Sequence, residues 1–119
     1  MYICPMYSKE LLKGTLEAIV LKLLHEHKEM YGYEITQKVK EITQGKILLK
    51  DGSLYPLLHK MLKDGKVSFR EQKMGKRVRK YYFLTRSGVA EKDNQLLEIE
   101  DFLKTMNKIL FPNVAISKI

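Results

Sequence analysis

Two groups of side chains in this 119-residue chain are of the kinds that meet phosphates and the edges of bases. Tyr55, Pro56, His59, Lys60 and Lys63 fall in one short run and set ammonium groups beside a phenol and an imidazole. Lys73, Met74, Gly75, Lys76, Arg77, Val78, Arg79 and Lys80 follow, with five cations and no acid among them. Lys and Arg neutralise a nucleic-acid backbone and release its condensed counterions, while Tyr, His and Lys can hydrogen-bond groove edges. A basic run standing alone is more often a solvated loop. Its position directly after a candidate reading helix is what favours a DNA partner.

The elements that must position these groups can be read from spacing. Leu54, Leu57, Leu58, Met61 and Leu62 recur every three or four residues, which predicts a short helix with Ser53 as its cap, Pro56 in its first turn and Asp64-Gly65 as its stop. Its opposite face carries Tyr55, Pro56, His59, Lys60 and Lys63. After Gly65 the period falls to two: Val67 and Phe69 alternate with polar residues, and Tyr82 and Leu84 do so on the return. This predicts a hairpin turning at Gly75, with Lys73, Lys76, Arg77, Arg79 and Lys80 at its tip and Phe83 pointing with Tyr81 away from the core.

Earlier in the chain, Ser8 to His25 reads as one helix. Leu12, Leu16, Ile19, Val20, Leu23 and Leu24 form its apolar stripe, and Leu11, Ala18 and Leu21 widen that stripe enough to require a second apolar neighbour. Gly14 within it points to a close backbone approach. Residues 25–30 read as a charged loop, and a second helix runs from Tyr31 or Gly32 to Thr43, burying Ile35, Val39 and Ile42 and ending at Gln44-Gly45. Lys46 to Lys50 reads as an extended link or small strand. Thr85 can cap a long helix from Arg86 to about Leu110, in which Leu96, Ile99, Leu103, Met106 and Leu110 repeat at a spacing of 3, 4, 3, 4, a dimerisation seam. Pro112 and Asn113 end it.

The expected fold is therefore mainly α with a small β-hairpin: a winged helix-turn-helix over residues 1–85, a dimerisation helix over 86–111 and a flexible tail over 112–119. The long helix would reach about 37 Å at 1.5 Å per residue, more than the winged unit can cover, so a homodimer is expected.

Composition narrows the function. The formal net charge is +8, and residues 1–87 hold 18 Lys+Arg against 9 Asp+Glu whereas residues 88–119 hold 4 against 5. The surplus thus sits with the helix and hairpin, which favours a localised anionic partner. Charge alone also fits a membrane surface or an acidic protein. The lone Cys4 has no intramolecular disulfide partner, and the chain shows neither a secretory leader pattern nor an apolar run of membrane-spanning length, so a cytoplasmic location is expected. Catalysis has little support. His25 and His27 diverge on a helix end, and no phosphate-binding glycine loop, HExxH or Gly-x-Ser-x-Gly is present. No metal or cofactor is expected.

Four ordered motifs, Leu11-Leu12-Lys13-Gly14-Thr15-Leu16-Glu17, Tyr31-Gly32-Tyr33-Glu34-Ile35, Ser53-Leu54-Tyr55-Pro56-Leu57-Leu58 and Arg79-Lys80-Tyr81-Tyr82-Phe83-Leu84-Thr85, resemble the PadR family of bacterial transcriptional regulators. The short C-terminal region resembles the single-helix subfamily, which includes multidrug-responsive repressors. The resemblance implies a homodimer that binds an inverted-repeat operator in double-stranded DNA and releases it when a small molecule or stress signal arrives. It implies that Tyr33, Ser53, Tyr55, Pro56 and His59 lie on or near the DNA-facing surface and that Lys76, Arg77, Arg79 and Lys80 lie on the wing. It also implies an effector cavity between the paired long helices, for which Leu11, Ala18, Ile99 and Phe102 are candidate contacts with an apolar or aromatic ligand. The sequence departs from the family in three places: Val78 interrupts the basic run, Lys66 stands where an apolar residue is usual, and Phe83 replaces a polar one. The competing reading is a dimeric winged-helix interaction module that binds an acidic protein.

Overall fold

A computed structural model describes residues 7–113. The reading of the tail beyond residue 113 and of Cys4 in a loose terminus lies outside the described residues. Seven elements follow one another: α1 (Lys9–Leu12), α2 (Leu16–His27), α3 (Gly32–Ile42), α4 (Asp51–Lys63), β1 (Val67–Met74), β2 (Arg77–Leu84) and α5 (Arg86–Leu110). The first segment is two helices rather than one. At the break, the Thr15 side chain and backbone N–H both donate to the Leu12 carbonyl, at 3.0 and 2.9 Å, in place of helical pairing. Gly14 marks this break and not a close approach, since a Cβ placed there would meet nothing within 4 Å.

The core lies where α2, α3 and α4 meet the base of the hairpin. Val20, Leu21, Leu24, Ile35, Leu54, Leu58 and Met61 are fully buried, and Val67 and Tyr82 close the core from the sheet. Helix α2 continues through the expected loop to His27 and stops at Lys28, whose φ of 69° is left-handed. Helix α3 ends on two left-handed residues, Gln44 and Gly45, as Gln44-Gly45 predicted. Ile42, expected inside, is 58% exposed because it occupies the last turn beyond the core. The link from Lys46 to Lys50 forms no strand. The Thr43 hydroxyl holds it by accepting the Ile47 N–H at 3.1 Å.

Helix α4 begins three residues earlier than the sequence suggests. Lys50 is its cap position, without a side-chain cap bond, and its carbonyl takes the N–H groups of Ser53 and Leu54. Ser53 is thus inside the helix and not its cap, and Pro56 lies beyond the first turn, where its missing N–H and ring cost one helical bond.

The hairpin pairs Val67 with Leu84 and Phe69 with Tyr82 on its core side, with register continuing to Met74 opposite Arg77. Gly75 makes the turn at φ 65°, a conformation open to glycine at no steric cost. The sheet gains a further rung: Met30 N–H donates to Tyr82 O at 3.0 Å and Tyr82 N–H to Met30 O at 2.8 Å. The residue leading into α3 is thereby stitched to the wing.

Helix α5 starts from a locked joint. The Thr85 hydroxyl accepts the Gly88 N–H at 3.0 Å and donates to the Gly65 carbonyl at 2.6 Å, and Thr85 N–H donates to Lys66 O at 3.1 Å. Only Gly88 and Lys92 of this 25-residue helix are buried.

Candidate nucleic-acid interface

A cleft of about 640 Å³ opens between the wing, the start of α3 and the outer face of α4. Arg77, Arg79 and Lys80 line it from the wing, Tyr33 from α3 and Tyr55 from α4, and no carboxylate lines it. Five of the sequence-predicted residues are thus brought to one place. The start of α3 at this edge is capped by its own Glu34, whose carboxylate accepts the Tyr31 N–H at 3.0 Å.

Tyr33 is 62% exposed and Tyr55 39% exposed, less than Tyr33 because its ring lies against Gly32. A Cβ at Gly32 would fall 2.3 Å from the Tyr55 hydroxyl oxygen, so glycine at this position makes room for the phenol. Spacing on α4 puts His59 and Lys63 in the same stripe as Tyr55, both exposed. Pro56 and Lys60 are exposed further round the helix, and Lys60 is close enough to Glu17 to act on its charge. Ser53 turns elsewhere. It borders a second cleft, of about 780 Å³, between α1 and the 46–50 link. Lys73 and Lys76 are exposed at the wing tip.

The wing's cations are not equivalent. Lys80 places its ammonium 4.7 Å from the centroid of the Phe69 ring, and Arg79 its guanidinium 4.0 Å from that of Tyr31. Sequence reasoning missed Arg70 and Glu29, which form a bidentate ion pair with nitrogen–oxygen distances of 3.0 and 3.1 Å from Nε. The hydrogen bond from Arg70, together with its charge, holds the Glu29 carboxyl below its ordinary range against the opposing effect of desolvation. No local pattern links residues 41 apart in the chain, so nothing in the sequence flagged this pair.

The seam residues Leu96, Ile99 and Met106 are half-buried, while Leu103 and Leu110 are 48% and 55% exposed. Of the effector candidates, Leu11 and Phe102 are exposed, Ile99 is half-buried and Ala18 is buried within the protomer. Among the described residues, no helix is long and apolar enough to cross a membrane, and no cluster of three His, Cys, Asp or Glu side chains could hold a metal ion.

The model of the transcriptional regulator PadR-like family matches residues 20–94, from α2 through the wing into α5. The chain belongs to that family. A transcriptional regulator from Clostridium thermocellum has the same fold, with a TM-score of 0.80 and 28% identity over 85% of this chain and 98% of that one. A Streptococcus mutans protein of known structure is 31% identical over 97% and 98% of the two chains, with a TM-score of 0.70. Bacillus subtilis PadR, solved in complex with operator DNA, is 34% identical over 68% of this chain and 46% of its own, with a TM-score of 0.62. This PadR-family chain is a transcriptional regulator with a winged helix-turn-helix, a two-stranded wing and a long C-terminal helix.

Proposed function

We propose that this regulator binds operator DNA as a two-fold homodimer, reading the major groove with the Tyr55, His59 and Lys63 stripe of α4 and holding phosphates with Lys73, Lys76, Arg77, Arg79 and Lys80. The observation that carries the reading is the cleft between wing and α4, whose lining gathers three cations and four tyrosines and holds no carboxylate. The operator complex of Bacillus subtilis PadR supports it. Residues 1–85 serve as the DNA-binding unit and 86–111 as the dimerisation helix, whose seam and exposed Leu97, Phe102, Ile109 and Leu110 need an apolar cover. Two reading helices then lie roughly 34 Å apart on a pseudo-palindromic site. In this reading the protein works in the cytoplasm as a repressor. An apolar or aromatic effector entering between the paired α5 helices, against Leu11, Ile99 and Phe102, releases it; Ala18 contributes only if α2 shifts.

The deciding experiment is fluorescence anisotropy on the chain's own promoter and on a scrambled duplex of equal length across a salt series. Operator-preferring affinity that falls with a log–log slope of several units is expected. Weak binding, equal on both duplexes, would transfer the basic surface to an acidic protein partner.

A further inference from the structure

Five side chains from two distant segments interlock beside the cleft. The guanidinium of Arg79 lies over the Tyr31 ring, 4.0 Å from its centroid, and one of its nitrogens stands 3.4 Å from the Tyr81 hydroxyl. Tyr31 meets Tyr81 edge to face with centroids 5.4 Å apart. Arg70, paired with Tyr81 in the hairpin register, sits 4.5 Å from the Tyr81 centroid and is gripped by Glu29. Glu29 and Tyr31 flank Met30, whose backbone is bonded in both directions to Tyr82. The segment 29–31 is therefore a fixed platform for the wing.

This platform changes what Arg79 can do. A cation over an aromatic face uses its plane, while the N–H donors of a guanidinium point outward within that plane. Arg79 can thus rest on Tyr31 and still present its edge to an anion in the cleft that both residues line. Lys73, Lys76 and Arg77 are exposed on the tip and must surrender side-chain freedom when they meet a phosphate. Arg79 has already lost most of that freedom.

We propose that Arg79 is a preorganised phosphate-binding residue and that Tyr31 is the positioning residue that holds it, with Tyr81 and the Arg70–Glu29 pair fixing the platform behind. The proposal rests on the DNA-binding reading and deepens it. Tyr31 then acts on DNA through Arg79 and not through its own hydroxyl. A loss at Arg79 is felt on every duplex alike, since a phosphate contact carries no sequence information.

The test compares Tyr31→Phe, Tyr31→Leu and Arg79→Lys by two readouts: duplex affinity on operator and unrelated DNA, and backbone order parameters of wing amides in the free protein. Tyr31→Phe keeps the ring and should match the native protein in both. Tyr31→Leu should bind roughly ten-fold more weakly on both duplexes, the order of one cation–π contact, with the wing more mobile. Arg79→Lys should show the same ten-fold loss although it keeps the charge. It replaces a surface side chain, so it carries the test should Tyr31→Leu unfold. Equal loss in Tyr31→Phe and Tyr31→Leu would mean that the hydroxyl itself meets DNA, and native affinity in Tyr31→Leu or Arg79→Lys would mean that no platform is needed. Either result overturns the proposal. A native protein without salt-dependent duplex binding would instead remove the functional reading and the phosphate role with it. The order parameters of Tyr31→Leu would still decide whether Tyr31 positions the wing.

Discussion

The ammonium of Lys66 stands 2.8 Å from the carboxylate of Glu17, 49 residues earlier in the chain. Glu91 lies 3.7 Å from the same ammonium, and the Gln95 side-chain amide donates to Glu17 and Glu91 at 2.7 Å each. One lysine thus joins α2 and α5 at the point where the chain leaves α4 for the wing. These two acids account for a lysine at this position.

Burial pushes the Glu17 carboxyl up, but hydrogen bonds from Lys66 and Gln95 and the charge of Lys66 outweigh it and hold the group below its ordinary range. The hydrogen bond to Glu17 correspondingly raises Lys66. A depressed carboxyl contributes stability that is present above its unfolded pKa of about 4.3 and is lost as pH falls through the lower folded value. A raised lysine contributes below about 10.4 and loses its contribution only as pH climbs past that. Lys66→Met should therefore cost about 1–3 kcal/mol at neutral pH in urea titrations. The difference from the native protein should shrink as pH falls below 4. A difference that persists undiminished in acid would show that Lys66 acts by packing alone.

Two glycines should respond oppositely to alanine. A Cβ at Gly88 would sit 2.0 Å from the Lys66 carbonyl oxygen, a backbone atom that cannot swing aside. Gly88→Ala should cost about 1–3 kcal/mol or more, as overpacking does. Gly14 has open space and no left-handed φ, so Gly14→Ala should be neutral or stabilise by about 0.4–1 kcal/mol through the unfolded chain. Thermal melts should move in opposite directions, and a stable Gly88→Ala would show that the joint is slack.

Gly32→Ala should separate binding from folding. The new methyl meets the far end of Tyr55, a half-exposed side chain that can turn outward, so stability should change by less than about 1 kcal/mol while operator affinity falls. In a Tyr55→Leu background the same change should cost little further affinity. Additive losses would place the effect of Gly32 elsewhere.

Leu103→Asp should leave the protomer folded, because Leu103 is 48% exposed within it, and should abolish the dimer by placing a carboxylate in the seam. Sedimentation velocity reads the outcome. A variant that remains dimeric would refute the α5 interface.

The hairpin, the bounds of α5 and the core face of α4 were legible because each depends on local spacing: Val67 and Phe69 against Tyr82 and Leu84, Thr85 ahead of Arg86, and Leu54, Leu58 and Met61. The break at Gly14 and the start of α4 were not. At both, apolar periodicity continued past a place where backbone groups found other partners, Thr15 with Leu12 and Lys50 with Ser53 and Leu54. The stacking of Arg79 on Tyr31 was equally hidden. Charge identifies a cation, but only the fold shows whether an aromatic ring lies beneath it.

The joint at Thr85 and Gly88 gives α5 a mechanical character. It is a lever pinned at its root by a carbonyl that leaves no clearance and tied to α2 as far as Gln95, with about 22 Å of helix beyond. In the proposed dimer a second copy would grip its far end, and a tilt of about 5° would become a displacement of roughly 2 Å across that length. The gearing runs both ways, so DNA that spreads or draws together the two reading heads would be felt as strain along the seam.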